Sequence, residues 1–541
     1  MSGEPYESVQ SLAAFHHPRP SDSERSQNAP SLAISEGFFN YSQNMIVSGG
    51  NFNYIQSNNS GFLRIEKAAV SAAMHTSGEE FQRPGCYENT RVAVLERLRN
   101  WGVAGKAEED ADERVMWLYG DAGAGKSAIA QTLAVDCAKM NRLLGSFFFF
   151  RNDPDRADHS HLVVTLIYQA VTVIPTLKAH VAAIVEQDPK IFEKDLELQL
   201  QSLLIDPLNA LARRPGFSLS SIPRFIIIDG LDECSTPDKQ SHLLKVLVRM
   251  LQKCAIPLKV LIASRPEIEI KAAFNSAPLT SLATRLALDN SFKPGADIRH
   301  FLRATFQTIK GTHPFKSRIP ASWPNEQDLE VLVHKSSRQF IYAAIVAKFV
   351  SSRRHKPVQR LGIVLGLHPI ESEKDYPFAE LDALYTFLFS AIPTEKLEIA
   401  RKILGLIIVV NPLSLNYTRS LLVMSQLVLD NAENICEFLS LEPGDEQYYL
   451  ADLASVLQFE PLENGGETET QIQITHASLS DFLLDSKRSK DFFISPNAFA
   501  TDVLHTCFRH LKNLTLNDRL LHHCFEKTSL SSPFSLRQSF L

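Results

Sequence analysis

The feature that most limits the fold is a run of eight residues, Gly120-Asp121-Ala122-Gly123-Ala124-Gly125-Lys126-Ser127, set between the apolar run Val115 to Tyr119 and a stretch of helical spacing from Ala128 to Ala138. It matches G-x-x-x-x-G-K-[ST] in full. The strand before it and the helix after it are the context that separates a phosphate-binding loop from a chance glycine-rich turn. The chemistry accounts for the spelling. The glycines let the backbone N–H groups of the loop, those of Asp121, Ala122 and Ala124 included, curl round a polyphosphate. Lys126 reaches the terminal phosphates, the Ser127 hydroxyl ligates Mg²⁺, and the helix start at Ala128 adds a partial positive charge. A nucleoside triphosphate bound with Mg²⁺ is the first expectation.

A second motif agrees with the first. Phe225-Ile226-Ile227-Ile228-Asp229 is an apolar strand ending in a carboxylate, and Gly230-Leu231-Asp232-Glu233 follow at once. Asp229 stands where a P-loop fold places the acid that holds Mg²⁺, and Asp232 or Glu233 is expected to orient or activate the attacking water. Taken alone, such an acidic run is also what a solvated loop after a strand looks like. Leu258 to Arg265 supplies another strand ending in a polar pair, so Arg265 is expected at the same rim, reading a γ-phosphate if it is aimed there and otherwise an ordinary surface arginine.

The apolar runs Val115 to Tyr119, Gly145 to Phe150, Phe225 to Ile228 and Val260 to Ala263 alternate with helical stretches. Continuous apolar strands are buried on both faces, which implies a parallel sheet with helices on either side. Beyond about residue 290 helical spacing takes over, as in Phe340, Ile341, Ala344, Ile345 and Phe349. Gln471 to Ile474 alternates after the turn Asn464-Gly465-Gly466, a hairpin behind several helices of the winged-helix kind. The class expected is multidomain α/β plus α, and no repeat of solenoid or propeller length is visible.

A chain of 541 residues is too long for one core. The expected division is a disordered tail over residues 1–36, an uncharged β-prone segment over 37–64, a helical linker over 65–112 and the P-loop core over 113–289. A helical region over 290–395, a winged-helix-like unit over 396–490 and a helical tail over 491–541 follow. From Gly37 to Leu63 there is no Asp, Glu, Lys or Arg. Gly49-Gly50 there joins Met45 to Ser48 and Asn51 to Tyr54 as a hairpin, a disordered tether or a self-associating strand.

With 55 basic against 61 acidic residues, the charge points to neither nucleic acid nor an anionic membrane. Seven cysteines without a C-x-x-C pair fit reduced thiols in the cytoplasm rather than a disulfide frame or thiolate zinc. The N-terminus resembles no secretory signal, and the most apolar stretch, Ile403 to Val410, is too short to span a bilayer.

Asp229-Gly230-Leu231-Asp232-Glu233, with the loop and Ser264-Arg265-Pro266, resembles the signature of NACHT-domain STAND P-loop NTPases, the fungal NLR-like proteins of the nephrocystin-type group. Cys86 to Arg91 resembles their adenine-proximal segment. Phe147 to Arg151 and Thr165 to Gln169 resemble their second strand and following helix. Gln339 to Ala343 and His476 to Leu483 resemble their helical lid and winged helix. The resemblance implies a cytoplasmic ATPase switch with slow hydrolysis as its reset. It implies an ADP-bound closed rest state and an ATP-bound homo-oligomer that signals to a protein partner through the N-terminal segment. It also implies that His476, which by position alone is a helix cap or a solvated side chain, holds the resting diphosphate. Asn89 stands where such proteins often have Gly, and no Gly-x-Pro precedes Phe340, so ATP over GTP rests on the resemblance. No repeat array follows the winged-helix segment, so a sensor is expected in a longer chain or another molecule. The rival readings are a nucleotide-stabilised scaffold without turnover and an AAA-like mechanical ATPase.

Overall fold

The computed structural model describes residues 60–503 except 78–83, 103–112, 220–221, 278, 368–377, 411–430 and 465–466. The Met45 to Tyr54 hairpin and the residue 1–36 tail lie outside the described residues. Two compact units divide the chain after Asn58, and the described residues belong to the second.

Five parallel strands form its sheet: β1 (Val115–Tyr119), β2 (Leu143–Phe148), β3 (Phe225–Asp229), β4 (Lys259–Ser264) and β5 (Ala283–Ala287), in the order β2-β3-β4-β1-β5. Successive side chains on a strand point to opposite faces, and here both faces are apolar. Val115, Trp117, Ile226, Ile228, Val260 and Ile262 join one buried cluster with the helices Leu162–Val173 and Pro237–Lys253. Met116, Leu118, Ile227, Leu261 and Ala263 join another with the helices Val92–Gly102 and Lys126–Lys139. This two-sided burial is why the strands read as unbroken apolar runs.

Three boundaries differ from expectation. β2 begins at Leu143, with a register shift between Leu143 and Gly145, and stops at Phe148: Phe149 still donates its N–H to the Asp229 carbonyl at 2.9 Å, but the Phe150 N–H already goes to the Arg156 carbonyl at 3.1 Å. β5 has no counterpart in the sequence reading: it pairs with β1 alone and carries exposed Arg285, so no apolar run marks it. The end of the uncharged segment is helical rather than β-prone, since Ser60–Ala68 forms a helix that buries Gly61 and Ile65. A Cβ on Gly61 would lie 2.1 Å from the Ala182 carbonyl oxygen, so only glycine allows this close approach to the helix Lys178–Gln187.

Beyond the sheet, a separate apolar cluster gathers described residues between Ile298 and Ile494. It takes in the helices Pro294–Thr312, Phe340–Val350 and Ala379–Ser390 and a two-stranded antiparallel ribbon of β6 (Leu457–Asn464) and β7 (Glu467–Ile474). The ribbon contributes Leu457, Ile472 and Ile474 to this core. The short helix Ala477–Leu483 follows it directly. Among the described residues no single helix is long and apolar enough to cross a membrane.

Candidate nucleotide-binding site

The carboxyl ends of β1, β3 and β4 face one rim of the sheet, where open α/β folds take their ligands. From β1 the chain enters the loop Gly120 to Gly125. Gly123 and Gly125 have φ of 75° and 91°, left-handed values that turn the backbone into the helix Lys126–Lys139. Lys126 folds back across the loop, its Nζ donating to the carbonyl oxygens of Gly120 at 2.8 Å and Asp121 at 2.9 Å. Removal from water lowers its pKa, and Asp232 pulls the other way. Ser127 is exposed on the first turn.

The loop is roofed by the C-terminal half. Ile341 donates its N–H to the Gly123 carbonyl at 3.4 Å, and a Cβ on Gly123 would meet Ile341 Cγ2 at 2.2 Å. Arg91, just ahead of the helix Val92–Gly102, also reaches the loop. It is buried, its Nη2 donates to the Ala124 carbonyl at 2.6 Å, and its guanidinium lies 4.8 Å from the Phe340 ring centroid. Asn89, two residues earlier, has a φ of 60°, which asparagine tolerates better than most side chains and which explains how it stands in a glycine's place.

Asp229 closes β3 and is 3% exposed. Gly230, at φ 73°, starts the tight turn Leu231–Glu233. Asp232 is buried, with Oδ1 accepting the Arg265 backbone N–H at 2.9 Å and Oδ2 pairing with Arg265 Nε at 3.1 Å. Glu233 Oε2 accepts the Arg151 backbone N–H at 3.2 Å. Removal from water and then the Asp232 charge push the Glu233 carboxyl up to about 7. Arg265 is no ordinary surface arginine: its Nη1 also reaches Asp481 Oδ2 at 2.6 Å. Burial opposes its charge, and Asp481 and Asp232 more than offset that, so its pKa is raised.

His476 caps the helix Ala477–Leu483. Its Nδ1 accepts the Ser478 backbone N–H at 3.0 Å and lies 2.7 Å from the Ser478 hydroxyl, which is itself 2.8 Å from the Tyr385 hydroxyl. An accepting Nδ1 leaves the proton of the neutral ring on Nε2. Removal from water, with the charges of Arg265 and Lys126, pushes the ring down to about 4 against the pull of Asp481, so it is neutral near pH 7. The cap role and a place beside the loop therefore coexist.

The donor set fits a polyphosphate with a hard divalent ion. It combines an ammonium, a hydroxyl, a helix start and one buried carboxylate at the end of the neighbouring strand. Among the described residues no three His, Cys, Asp or Glu side chains form a metal cage. Mg²⁺ at such sites keeps waters and phosphate oxygens as most of its ligands. Three residues here carried no role in the sequence reading: Arg91, Arg151 and Asp481. The signals for them are slight: an arginine just ahead of a helix, an arginine three residues past a strand and an aspartate five residues after His476.

Residues 98–265 match the family described as Nephrocystin 3, N-terminal. The vegetative incompatibility protein HET-E-1 of Podospora anserina is 25% identical over 338 residues, covering 61% of this chain and 23% of that protein's length. Solved structures with some likeness include the Aeropyrum pernix ORC2 protein in ADPNP–ADP complexes (TM-score 0.33, 10% identity, 81% of this chain and 100% of that one). They also include Cdc6p from Pyrobaculum aerophilum (TM-score 0.33, 13% identity, 76% and 97%) and the Aeropyrum pernix ORC1 protein in complex with DNA (TM-score 0.28, 13%, 72% and 88%). At such scores the strand order and the loop carry the fold by themselves. Sheet, loop, family match and relative together support a NACHT-type P-loop NTPase core, similar to that of the fungal vegetative incompatibility protein HET-E-1.

Proposed function

We propose that the chain is a nucleotide-dependent signalling switch that binds ATP or ADP with Mg²⁺ at Gly120 to Ala128, hydrolyses slowly to reset, and oligomerises when triphosphate-bound. The observation that carries this reading is the meeting of both halves of the chain at one place: Ile341 N–H reaches the Gly123 carbonyl of the loop at 3.4 Å, and Arg265 Nη1 at the sheet rim reaches Asp481 Oδ2 from behind the hairpin at 2.6 Å. A nucleotide on the loop is then sensed by the half that has to move.

In this reading the loop amides and Lys126 hold the phosphates, and the Nε2–H of neutral His476 donates to a resting diphosphate. Ser127 and Asp229 would hold Mg²⁺, which shields phosphate charge when bound. Glu233, poised near neutrality, takes the proton of the attacking water, and Asp232 fixes Arg265 beside it. The relative's name motivates a role in fungal nonself recognition, in the cytoplasm, with output to a protein partner through residues 37–63. The arginine engagement of Asp232 and Glu233 favours slow over rapid turnover, which keeps the scaffold without turnover as the second reading.

Lys126→Ala tests the site. Loss of a charge-assisted contact predicts at least about tenfold weaker binding of fluorescent ADP and ATP analogues in titration. Unchanged affinity for both would remove the assignment.

A further inference from the structure

Away from the nucleotide loop, the helices Phe340–Val350, Pro357–Gly366 and Ala379–Ser390 border a cavity of about 440 Å³. That size lies within the range of ligand clefts, about 300–1,000 Å³. Its floor is apolar, with Phe315, Phe349, Ile363, Phe387 and Leu388, and Ile363 is 43% exposed. Its rim is basic. Arg354, His355 and Lys356 stand on the connection between the first two helices, and Arg360 comes from the second. Among the described residues Asp452 is the one carboxylate in the lining. Packing accounts for Arg360: its guanidinium lies 4.0 Å from the Phe349 ring centroid, and its Nη1 donates to the Phe349 carbonyl at 3.0 Å. Arg354 and Lys356 have no such reason. Both are exposed, and no ion pair engages either among the described residues. The field at the rim is positive: partial removal from water lowers the His355 pKa, and the Arg360 and Arg354 charges lower it further against the pull of Asp452. Arg353, on the same connection, lines a second cavity of about 370 Å³ with Thr308, Thr312 and His313. The two cavities draw on neighbouring residues, His313 and Phe315 as well as Arg353 and Arg354, so together they make an extended groove.

We propose that this groove is a docking site for an acidic segment of a protein partner, with an aromatic or branched apolar side chain in the larger cavity and carboxylates on Arg354 and Lys356. Charge complementarity favours that occupant. The chain as a whole carries a net charge of -6, yet Arg354, Lys356 and Arg360 meet only Asp452 at this opening. Long basic side chains also serve to cover apolar surface with their stems, which describes Arg360 on Phe349. Cover alone gives no reason for two further cations without partners. A nucleic acid is best followed by cations set in a stripe along its phosphates, whereas these gather round one opening. An anionic membrane takes an apolar face laid flat on it, whereas Phe315, Phe349 and Phe387 line a hollow. An apolar anchor in a pocket inside a charged rim is the division found at protein interfaces, where the anchor supplies affinity and the charges supply rate and selectivity.

The test selects a displayed library of random short peptides on the full wild-type chain. Selected peptides are expected to share carboxylates beside one aromatic or branched apolar residue, and the absence of that pattern would overturn the proposal. The best of them, made with a fluorescent label, is then titrated into two variants. Arg354→Glu with Lys356→Glu reverses the rim, and Ala391→Trp fills the cavity from an exposed position in its lining. Each is expected to bind at least about tenfold more weakly, from loss of the charge contacts or of the anchor. Arg354→Lys with Lys356→Arg keeps the charges and is expected to stay within about threefold. Wild-type affinity in either of the first two variants would overturn the proposal. A labelled single-stranded oligonucleotide and phosphatidylserine vesicles are the other arms. Tighter binding of either to wild type, lost on charge reversal, would overturn it in favour of nucleic acid or membrane. Melting temperatures show whether the variants fold. Should they not, peptide-induced protection of residues 351–366 from amide exchange in wild type decides the matter, and protection elsewhere alone would overturn the proposal. Nucleotide affinity does not enter, so failure here leaves the reading of the loop untouched.

Discussion

Glu233 shows how strongly one position can depend on its surroundings. Removal from water and the adjacent Asp232 push its carboxyl up to about 7 from an ordinary 4.5, against the pull of Arg151 and Arg265. A folded-state value above the unfolded one means that the folded chain keeps a proton the unfolded chain has released. Its contribution to stability therefore falls as pH rises from about 4.5 through about 7. Glu233→Gln should raise the melting temperature over wild type by roughly 2 °C or more at about pH 8 and lose that advantage at about pH 5. Thermal unfolding at both pH values checks this, and equal effects at the two would contradict it. Under the proposed role, the same variant slows hydrolysis while sparing nucleotide affinity. The sequence made Glu233 a candidate because it follows Asp229 within one turn of chain, and Gly120 to Ser127 were legible for the same local reason. Arg151 and Asp481 were not, because their partnership spans 330 residues and neither position carries a mark of the other.

Among the elements, the helix Ala477–Leu483 ties stability to the site through the residue that caps it. His476 caps it with Nδ1 and keeps Nε2–H for a ligand, so the two duties can be separated. Asparagine keeps an acceptor at the cap, whereas alanine keeps none. His476→Ala should cost about 1 kcal/mol more stability than His476→Asn. Both should weaken ADP binding by about fivefold or more, the loss of one hydrogen bond to a charged group. Calorimetric unfolding and ADP titration check the pair; wild-type ADP affinity in His476→Asn would leave the residue a cap alone. The strands divide by burial. β1, β3 and β4 were legible because both their faces are covered and every position is apolar or nearly so. β5 was hidden because an edge strand needs no second partner: Arg285 sits in it, donating to the Phe274 carbonyl at 2.7 Å. β6 was hidden in part by Pro461, which a two-stranded ribbon tolerates because one side of each strand is free.

At the scale of the whole molecule, the cores of the sheet and of the C-terminal half meet at the loop through three sets of contacts among the described residues. Ile341 lies on Gly123, Arg91 lies between Ala124 and Phe340, and Asp481 lies between Arg151 and Arg265. All of them sit where a nucleotide's phosphates are proposed to bind, so phosphate number is the natural variable to control their making and breaking. The order of α/β core and helical half could be read from periodicity alone, but which residues meet across the loop depends on packing between distant segments that no local pattern records. The central claim is that the nucleotide decides whether the halves stay together. It is tested most directly by the mass and radius of gyration of the full chain, with Mg–ADP and with Mg plus a non-hydrolysable ATP analogue, by light scattering and small-angle X-ray scattering on material whose bound nucleotide is quantified. The account predicts a compact single-chain particle with ADP and an expanded or multi-chain particle with the ATP analogue; the same mass and radius in both states, with nucleotide bound in each, would contradict it.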